Sequence, residues 1–451
     1  MRFEHEASSR RFLTFEFCLH RIFAILASAV VFVSMPLLGQ RSSTPELPVN
    51  YDEALAGTYT LPNPLVLANG KPVKDAKTWI NQRRPEIIRL FEENEYGRAP
   101  GRPKGMSFDV FDKGTPALDG KALRKQVTIY FSANKSGPKV DLLIYLPAEA
   151  KKPVPLVLNI SFGTNSSSVA DPGIKPGEMW SQDHKRVPAP ARRGGPGPGR
   201  GTPDSPVTDY LSKGFGWATM NYGDIDPDFS GGVGLGVRGL YLKPGHTEPA
   251  PDEWGSIAAW AWGMSRALDY LETDKGVDAK RVAILGVSRL GKTVMWAGAR
   301  DTRFAMVIAS CSGEGGAAIS RRAFGETIGH MNTFFAYQFC ANYQKYGKHV
   351  DQLPVDAHEL VALIAPRPVL LQTGDKDLWS DPKGEFLAAV AAEPVYKLLG
   401  KQGLGTDQWP AAGQPILHDI GYIMHAGGHG SLPSDRPIFL KFMEMYLRPG
   451  Q

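Results

Sequence analysis

The feature that most constrains the fold is a series of short, predominantly apolar runs. These runs lie at residues 154–162, 281–285, 305–309, 368–372 and 420–424. A strand that is apolar at every position is buried on both faces, as in a parallel sheet covered by helices. Helical patterns separate the runs, most clearly at 252–271 and 384–399. We therefore predict an α/β fold, a three-layer sandwich with a mostly parallel central sheet.

Segments outside this core differ in composition and suggest how the chain is organised. Residues 41–105 are rich in proline with one helical stretch, which predicts an N-terminal wrap packed on a main domain at 106–451. An insertion near 170–205 carries Pro, Gly and basic residues without an apolar face. It is either a solvated loop or a positively charged lip for an acidic glycan.

Composition excludes several classes of protein. The 451 residues are 42% hydrophobic and 22% charged, which rules out wholesale disorder. A net charge of +5 is too small for a dedicated nucleic-acid binder, so no nucleic-acid partner is expected. Three cysteines cannot form a disulfide scaffold. Whether Cys311 and Cys340 pair stays open, because spacing alone does not decide it.

The N-terminus is typical of an export signal. Residues 22–35 are uncharged and apolar, and Arg10, Arg11 and Arg21 precede them. This run is short for a bilayer span, so we interpret residues 1–40 as a signal peptide rather than an uncleaved anchor helix. The expected location is therefore secreted or periplasmic, with no membrane attachment after the signal is removed.

A serine lies where one of the predicted strands turns into a helix. The sequence GVSRLGK at 286–292 has glycines two residues before and three residues after Ser288. Small residues there allow the strained turn that exposes a nucleophilic hydroxyl, and the helix start offers N–H groups to an oxyanion. The spacing differs from the commoner G-x-S-x-G, and a serine before a helix is often only an N-cap.

Downstream residues supply the remaining groups of a hydrolase triad, which in α/β-hydrolases follows the order serine, acid, histidine. The predicted strand at 368–372 leads into Asp375 and Asp377, and Asp377 is favoured over Asp375 and Asp381 as the acid. After the last predicted strand, the sequence HAGGHG at 425–430 places His429 in a glycine-rich loop. His429 is preferred over His425 and His418 as the base that takes the serine proton.

Several ordered blocks resemble the glucuronoyl esterases (carbohydrate esterase family 15), especially the bacterial branch. The blocks are NYGDIDPDF (221–229), DEWGSIAAWAWGMSRALDYLETD (252–274), GVSRLGKTVMWAGA (286–299), SGEGGAAISRRAFGETI (312–328), LIAPRPVLL (363–371) and DLWSDPKGEF (377–386). The resemblance implies a serine esterase that hydrolyses esters between (4-O-methyl-)D-glucuronic acid of glucuronoxylan and lignin alcohols. It also implies that Ser288 is the nucleophile and His429 the base.

The same resemblance assigns further residues of the site. Arg289 matches the arginine that assists the oxyanion hole, and Lys292 matches the lysine that holds sugar hydroxyls. Glu326 and Trp379 match residues that line the uronic-acid site. Without the resemblance, Lys292 would be interpreted as a solvated lysine and Trp379 as a packing residue.

One position departs from the family pattern. Many members carry a catalytic glutamate just before the SGxGG segment, where this chain has Cys311. Bacterial members place an acid after the next-to-last strand instead or in addition, and this position corresponds to Asp377. Glu314 is close to the missing glutamate but lies three residues late.

The sequence therefore predicts a secreted, monomeric serine esterase whose partner is a glucuronoxylan–lignin ester. No metal or other cofactor is expected, because there is no H-E-x-x-H motif and the histidines are scattered. Two other functions stay open. They are an acetyl xylan esterase, and an inactive glycan-binding homologue in which Cys311 marks a lost acid.

Overall fold

A computed structural model describes residues 47–189 and 206–448 of the chain. The signal peptide expected at residues 1–40 lies outside the described residues. The strands are β1 (Ser107–Ala117), β2 (Ala122–Tyr130), β3 (Lys139–Pro147), β4 (Val154–Ser161), β5 (Glu178–Trp180), β6 (Arg186–Pro188), β7 (Gly216–Asn221), β8 (Val277–Val287), β9 (Met306–Ser310), β10 (Val369–Gly374), β11 (Ile416–Leu417) and β12 (Ile420–His425).

Ten of these strands form the central sheet, in the order β1-β2-β3-β7-β4-β8-β9-β10-β12-β11. From β7 through β4, β8, β9 and β10 to β12, every neighbouring pair is parallel. Antiparallel pairs flank this part on both sides, through β1–β3 at one edge and β11 at the other. The predicted mostly parallel sheet is confirmed, and each apolar run of the sequence forms a strand in it.

Helices cover both faces of the sheet. They are α1 (Ala76–Thr78), α2 (Arg84–Asn94), α3 (Asn165–Ser168), α4 (Val207–Ser212), α5 (Tyr222–Ile225), α6 (Ser256–Leu271), α7 (Arg289–Arg300), α8 (Ile328–Phe334), α9 (Ala357–Ile364), α10 (Pro382–Leu398) and α11 (Arg436–Leu447). A π-helical stretch, Trp79–Arg83, joins α1 to α2. Within the described ranges, no helix combines the length and apolarity needed to cross a membrane.

Alternate strand residues belong to two separate hydrophobic cores. Val307 of β9 packs in a core that includes residues of α2, α6, α7, α9 and α10. The next residue, Ile308, packs in a second core with residues of α4 and α11. Because successive side chains of a strand point to opposite faces, the sheet separates two helical layers, as expected for a three-layer sandwich.

The segment before the sheet makes polar contacts with distant parts of the chain. Arg83 donates a hydrogen bond from Nη2 to Oε1 of Glu359 at 3.0 Å, and both side chains are buried. Tyr96 donates its hydroxyl proton to the carbonyl oxygen of Gly315 at 2.9 Å. Asn50 donates to the carbonyl oxygen of Ala323 at 2.6 Å. These contacts fix the segment to helix α9 and to the loops after β9.

The expected insertion near 170–205 is described only in part. Strands β5 and β6 pair as an antiparallel hairpin within it. Residues 190–205, which contain most of its Pro, Gly and Arg residues, lie outside the described residues.

Candidate active site

Ser288 lies in the sharp turn between β8 and α7. Its backbone has φ 60° and ψ −130°, a conformation that a residue with a side chain rarely adopts. The Ser288 N–H group donates to the carbonyl oxygen of Ser310 at 2.8 Å, which ties the turn to the end of β9. Strain of this kind persists only where the surrounding structure enforces it, and it is typical of a nucleophile turn.

The two glycines of the serine motif allow close backbone approaches. A Cβ atom on Gly286 would lie 2.2 Å from the carbonyl oxygen of Leu290. A Cβ atom on Gly291 would lie 2.8 Å from the carbonyl oxygen of Ser310. Gly286 therefore allows the sharp turn, and Gly291 allows α7 to pack closely against the end of β9.

Asp377 and His429 form the central side-chain contact of the site. Asp377 follows β10 and His429 follows β12, and these parallel neighbours end at the same edge of the sheet. The Nδ1 atom of His429 lies 2.7 Å from Oδ2 of Asp377. Burial would raise the pKa of the Asp377 carboxyl, but hydrogen bonding and charge interaction with His429 outweigh it and hold this pKa below its usual value.

The other acids considered from the sequence are engaged elsewhere. Asp375 accepts a hydrogen bond at Oδ1 from the Gly427 N–H group at 2.8 Å, so it holds the loop before His429. Asp381 caps helix α10, accepting from the Gly384 N–H group at 2.9 Å.

The histidines that were set aside also have structural partners. His425 is buried, and its Nδ1 atom lies 2.8 Å from Oδ2 of Asp435. The Nδ1 atom of His418 lies 2.8 Å from the carbonyl oxygen of Leu404. Of the three histidines compared, His429 is the one in contact with Asp377.

Cys311 lies directly beside the Asp377–His429 pair. Ligand atoms of the three side chains all lie within 4.8 Å of one another. The Cys311 sulfur also accepts a hydrogen bond from the Gly430 N–H group at 3.4 Å. Burial, together with nearby carboxylates, raises the pKa of the thiol far above its ordinary value, so it is protonated at neutral pH. Cys311 and Cys340 are both free, so they do not form a disulfide.

Two buried glutamates lie behind this part of the site. Glu314 accepts hydrogen bonds at Oε1 from Ser320 at 2.6 Å and from Tyr343 at 2.7 Å, so its carboxyl group is engaged by two hydroxyl groups. Glu385 accepts from the Gly313 N–H group at 2.8 Å. Burial raises the pKa of each glutamate to about 8, which keeps both protonated at neutral pH.

Arg289, which follows Ser288, is held by a carboxylate. Its Nη1 atom donates to Oδ2 of Asp228 at 2.5 Å. Asp228 also accepts from Tyr222 at 2.8 Å, from Tyr337 at 2.9 Å and from Gln338 at 3.1 Å. Four donors therefore fix one carboxylate, and that carboxylate in turn fixes the guanidinium group.

Lys292 and Glu326 form a buried ion pair one turn into α7. The Lys292 Nζ atom donates to Oε1 of Glu326 at 2.9 Å and to the carbonyl oxygen of Ser312 at 2.7 Å. An ammonium group has three N–H donors, so one remains available to a ligand. The backbone N–H of Glu326 donates to the carbonyl oxygen of Trp379 at 2.8 Å, which brings these two residues together.

All seven residues that the sequence selects line one cavity of about 180 Å³. They are Ser288, Arg289, Lys292, Glu326, Asp377, Trp379 and His429. The structure adds Met331, Phe335, Gln338 and Ser380 to the lining. The sequence does not mark Asp228 as a site residue, because only the folded chain shows that its carboxylate contacts Arg289.

Comparison with known proteins identifies similar chains. A family model described as glucuronyl esterase of fungi matches residues 249–400. Carbohydrate esterase MZ0003, from an unknown prokaryotic organism, is 44% identical over 406 residues, which cover 89% of this chain and 93% of that protein. A 4-O-methyl-glucuronoyl methylesterase from Schizophyllum commune is 27% identical over 353 residues, or 75% of this chain and 74% of that protein.

A solved structure is similar over almost its whole length. The glucuronoyl esterase from Solibacter usitatus has a TM-score of 0.83 and 47% sequence identity to this chain. The match covers 87% of this chain and 99% of that one.

Proposed function

Because the chain belongs to the glucuronoyl esterases of carbohydrate esterase family 15, we propose that it cleaves esters between (4-O-methyl-)D-glucuronic acid of glucuronoxylan and lignin alcohols. It is a carboxylic ester hydrolase with an α/β-hydrolase fold. The observation that carries the assignment of roles is the 2.7 Å contact between His429 and Asp377, in the cavity that Ser288 also lines.

In the first half of the reaction, Ser288 is the nucleophile and His429 is the general base. With Nδ1 of His429 held by Asp377, the Nε2 atom is left to accept the serine proton. The Ser288 oxygen attacks the ester carbonyl, and the resulting imidazolium is stabilised by the Asp377 carboxylate. The alcohol then leaves with the proton from His429, and the glucuronoyl group stays on the serine.

In the second half, water replaces Ser288 as the nucleophile, and His429 again acts first as base and then as acid. A water molecule gives a proton to His429 and attacks the acyl-enzyme carbonyl, and His429 then returns the proton to the Ser288 oxygen. Each half passes through an oxyanion. The guanidinium group of Arg289 and the N–H groups at the start of α7 stabilise that charge.

Recognition of the uronic acid falls to Lys292 and Trp379, which line the same cavity. Lys292 has one N–H donor that its protein partners leave free, and it is held rigidly by Glu326. A positioned ammonium group suits a sugar hydroxyl or ether oxygen, and Trp379 offers a flat apolar surface to the sugar ring. An acetyl group would use neither residue.

The test is hydrolysis of benzyl glucuronate by the purified protein, beside 4-nitrophenyl acetate and with Ser288→Ala as the control. We expect turnover that depends on Ser288 and strongly favours the glucuronate ester. Turnover of the acetate alone would move the function to an acetyl esterase. Folded protein that binds the glycan and turns over neither substrate would instead favour the inactive binding homologue.

We also propose that the enzyme acts outside the cytoplasm as a monomer. The apolar run at residues 22–35, with the arginines before it, supports export by a signal peptide. The cavity is lined within one chain, so the proposed reaction does not require a second copy. No metal is needed for the steps given above.

A further inference from the structure

We propose that Cys311, Asp377 and His429 bind a soft or borderline divalent metal ion such as Cd²⁺ or Zn²⁺, and that this ion inhibits the esterase. Within the described ranges, this is the one group of three or more Cys, His, Asp and Glu side chains close enough to share an ion. This inference rests on the proposed esterase function and adds to it an inhibitory metal site that the reaction itself does not use.

The set of donor atoms favours this class of metal. A thiol sulfur, an imidazole nitrogen and a carboxylate oxygen are all ligands that Zn²⁺ accepts in proteins. Hard ions such as Mg²⁺ prefer oxygen ligands and keep their water, so a site with sulfur and nitrogen discriminates against them. Three protein ligands leave a fourth position for water, or for Ser380, whose Oγ atom lies 3.2 Å from Nδ1 of His429.

Small movements bring the three atoms into coordination geometry. Tetrahedral bonds of the lengths found for Zn²⁺ place ligand atoms about 3.3–3.6 Å apart. The Nδ1–Oδ2 separation of 2.7 Å must therefore widen, and longer separations within the 4.8 Å group must shorten. His429 lies among Gly427, Gly428 and Gly430, a backbone without side chains that restrict this shift.

The chemistry of binding accounts for the inhibition. The ion takes the place of two protons, one on the Cys311 sulfur and one on Nδ1 of His429, and both protons pass to the solvent. Asp377 then coordinates the ion instead of accepting a hydrogen bond from the imidazole. His429 is no longer an effective general base, because its ring carries a bound cation and is turned toward the ion.

The experiment measures inhibition and metal binding separately. Rates with benzyl glucuronate are recorded as Cd²⁺ is added without chelator, and EDTA is then added to reverse the effect. In the same protein, ultraviolet absorption reports the thiolate-to-Cd²⁺ charge-transfer band. Cys311→Ser keeps the side-chain size and removes the soft ligand, and Cys340→Ser is the matched control on the other described cysteine.

We expect reversible inhibition by Cd²⁺ and no inhibition by Mg²⁺. The inhibition constant for Cd²⁺ should be at least about ten-fold higher in Cys311→Ser, because loss of a residue that only supports a metal ligand already costs that much affinity. The charge-transfer band should weaken in Cys311→Ser and persist in Cys340→Ser. Equal inhibition constants with an unchanged band in Cys311→Ser would overturn the site. If benzyl glucuronate is not a substrate, the band alone still decides whether the metal binds, so failure of the two proposals is distinguishable.

Discussion

Arg289 donates a hydrogen bond from Nη1 to Oδ2 of Asp228 at 2.5 Å, and this pair joins the nucleophile turn to the block at 221–229. The guanidinium group is therefore positioned before substrate arrives. A preorganised donor stabilises an oxyanion without the cost of reorganising during the reaction. Asp228 contacts Arg289 and is not itself among the residues that line the cavity, so we regard it as a positioning residue.

We expect Asp228→Ala to lower kcat by about ten- to hundred-fold, less than the roughly 10²–10³-fold typical of losing an oxyanion donor outright. Steady-state kinetics with benzyl glucuronate would measure both kcat and KM. If Asp228 acts through Arg289, adding Asp228→Ala to Arg289→Ala costs little more than Arg289→Ala alone. If the loss of kcat in the double variant equals the product of the losses in the two single variants, the positioning role is contradicted. Tyr337→Phe, which removes one of four donors to Asp228, should have a smaller effect.

Variants of Asp377 should show whether an acid at position 311, which is close in space, can replace it. Asp377→Ala removes the partner of His429, and we expect kcat to fall by about 10²–10⁴-fold. Adding Cys311→Glu to this variant places a carboxylate beside His429, where many family members carry their catalytic glutamate, and should recover part of the loss. Cys311→Ala in the same background is the control. No difference between the two double variants would show that position 311 does not support the base.

The pair Lys292 and Glu326 should govern the choice of substrate. Lys292→Met removes the charged hydrogen bond that we propose between Lys292 and the uronic acid. Such a bond is worth about 1.5–3 kcal/mol, so kcat/KM for benzyl glucuronate should fall roughly ten- to hundred-fold. Hydrolysis of 4-nitrophenyl acetate should change little. Because the variant leaves Glu326 buried without its partner, Lys292→Met with Glu326→Gln is the matched control for stability. Equal losses on both substrates would contradict a role in uronate recognition.

The buried carboxyl of Glu385 should make stability decline as pH rises. Its pKa is raised from 4.5 to about 8 by burial, so the folded chain keeps a proton that the unfolded chain releases. This contribution is complete below pH 4.5 and is lost as pH rises through about 8. Over that interval, the unfolding free energy of the parent relative to Glu385→Gln should fall by up to about 1.4 kcal/mol per pH unit.

Urea unfolding of both proteins across this pH range measures the difference. Glu149→Gln, at an exposed position, is the control and should follow the parent at every pH. Parallel curves for the parent and Glu385→Gln would show that Glu385 does not hold the extra proton.

The parallel core was predictable because its signal is local. Each apolar run at 154–162, 281–285 and 420–424 records burial on both faces, and each is a strand of the sheet. Strand β1 escaped prediction because Asp109, Asp112 and Lys113 alternate with few apolar residues at an edge of the sheet. Tertiary pairing, rather than its own pattern, makes this segment a strand.

The site shows the same division between local and distant information. Ser288 is marked by its own turn, and His429 by its position after the last long strand. No local pattern marks Asp228, because its role depends on Arg289, which follows 61 residues later. Likewise, no local pattern places Cys311 beside His429. The family resemblance implies this proximity, and the positions of β9 and β12 in the sheet bring the two residues together.

The buried contact between Arg83 and Glu359 has a consequence for the order in which the protein is made. The two residues are 276 positions apart, so the N-terminal segment emerges from the ribosome long before its partner exists. At bacterial and eukaryotic elongation rates, the wait is roughly 15–55 s. The chain therefore cannot complete its native contacts while most of it is still being synthesised, a delay that suits the export proposed above.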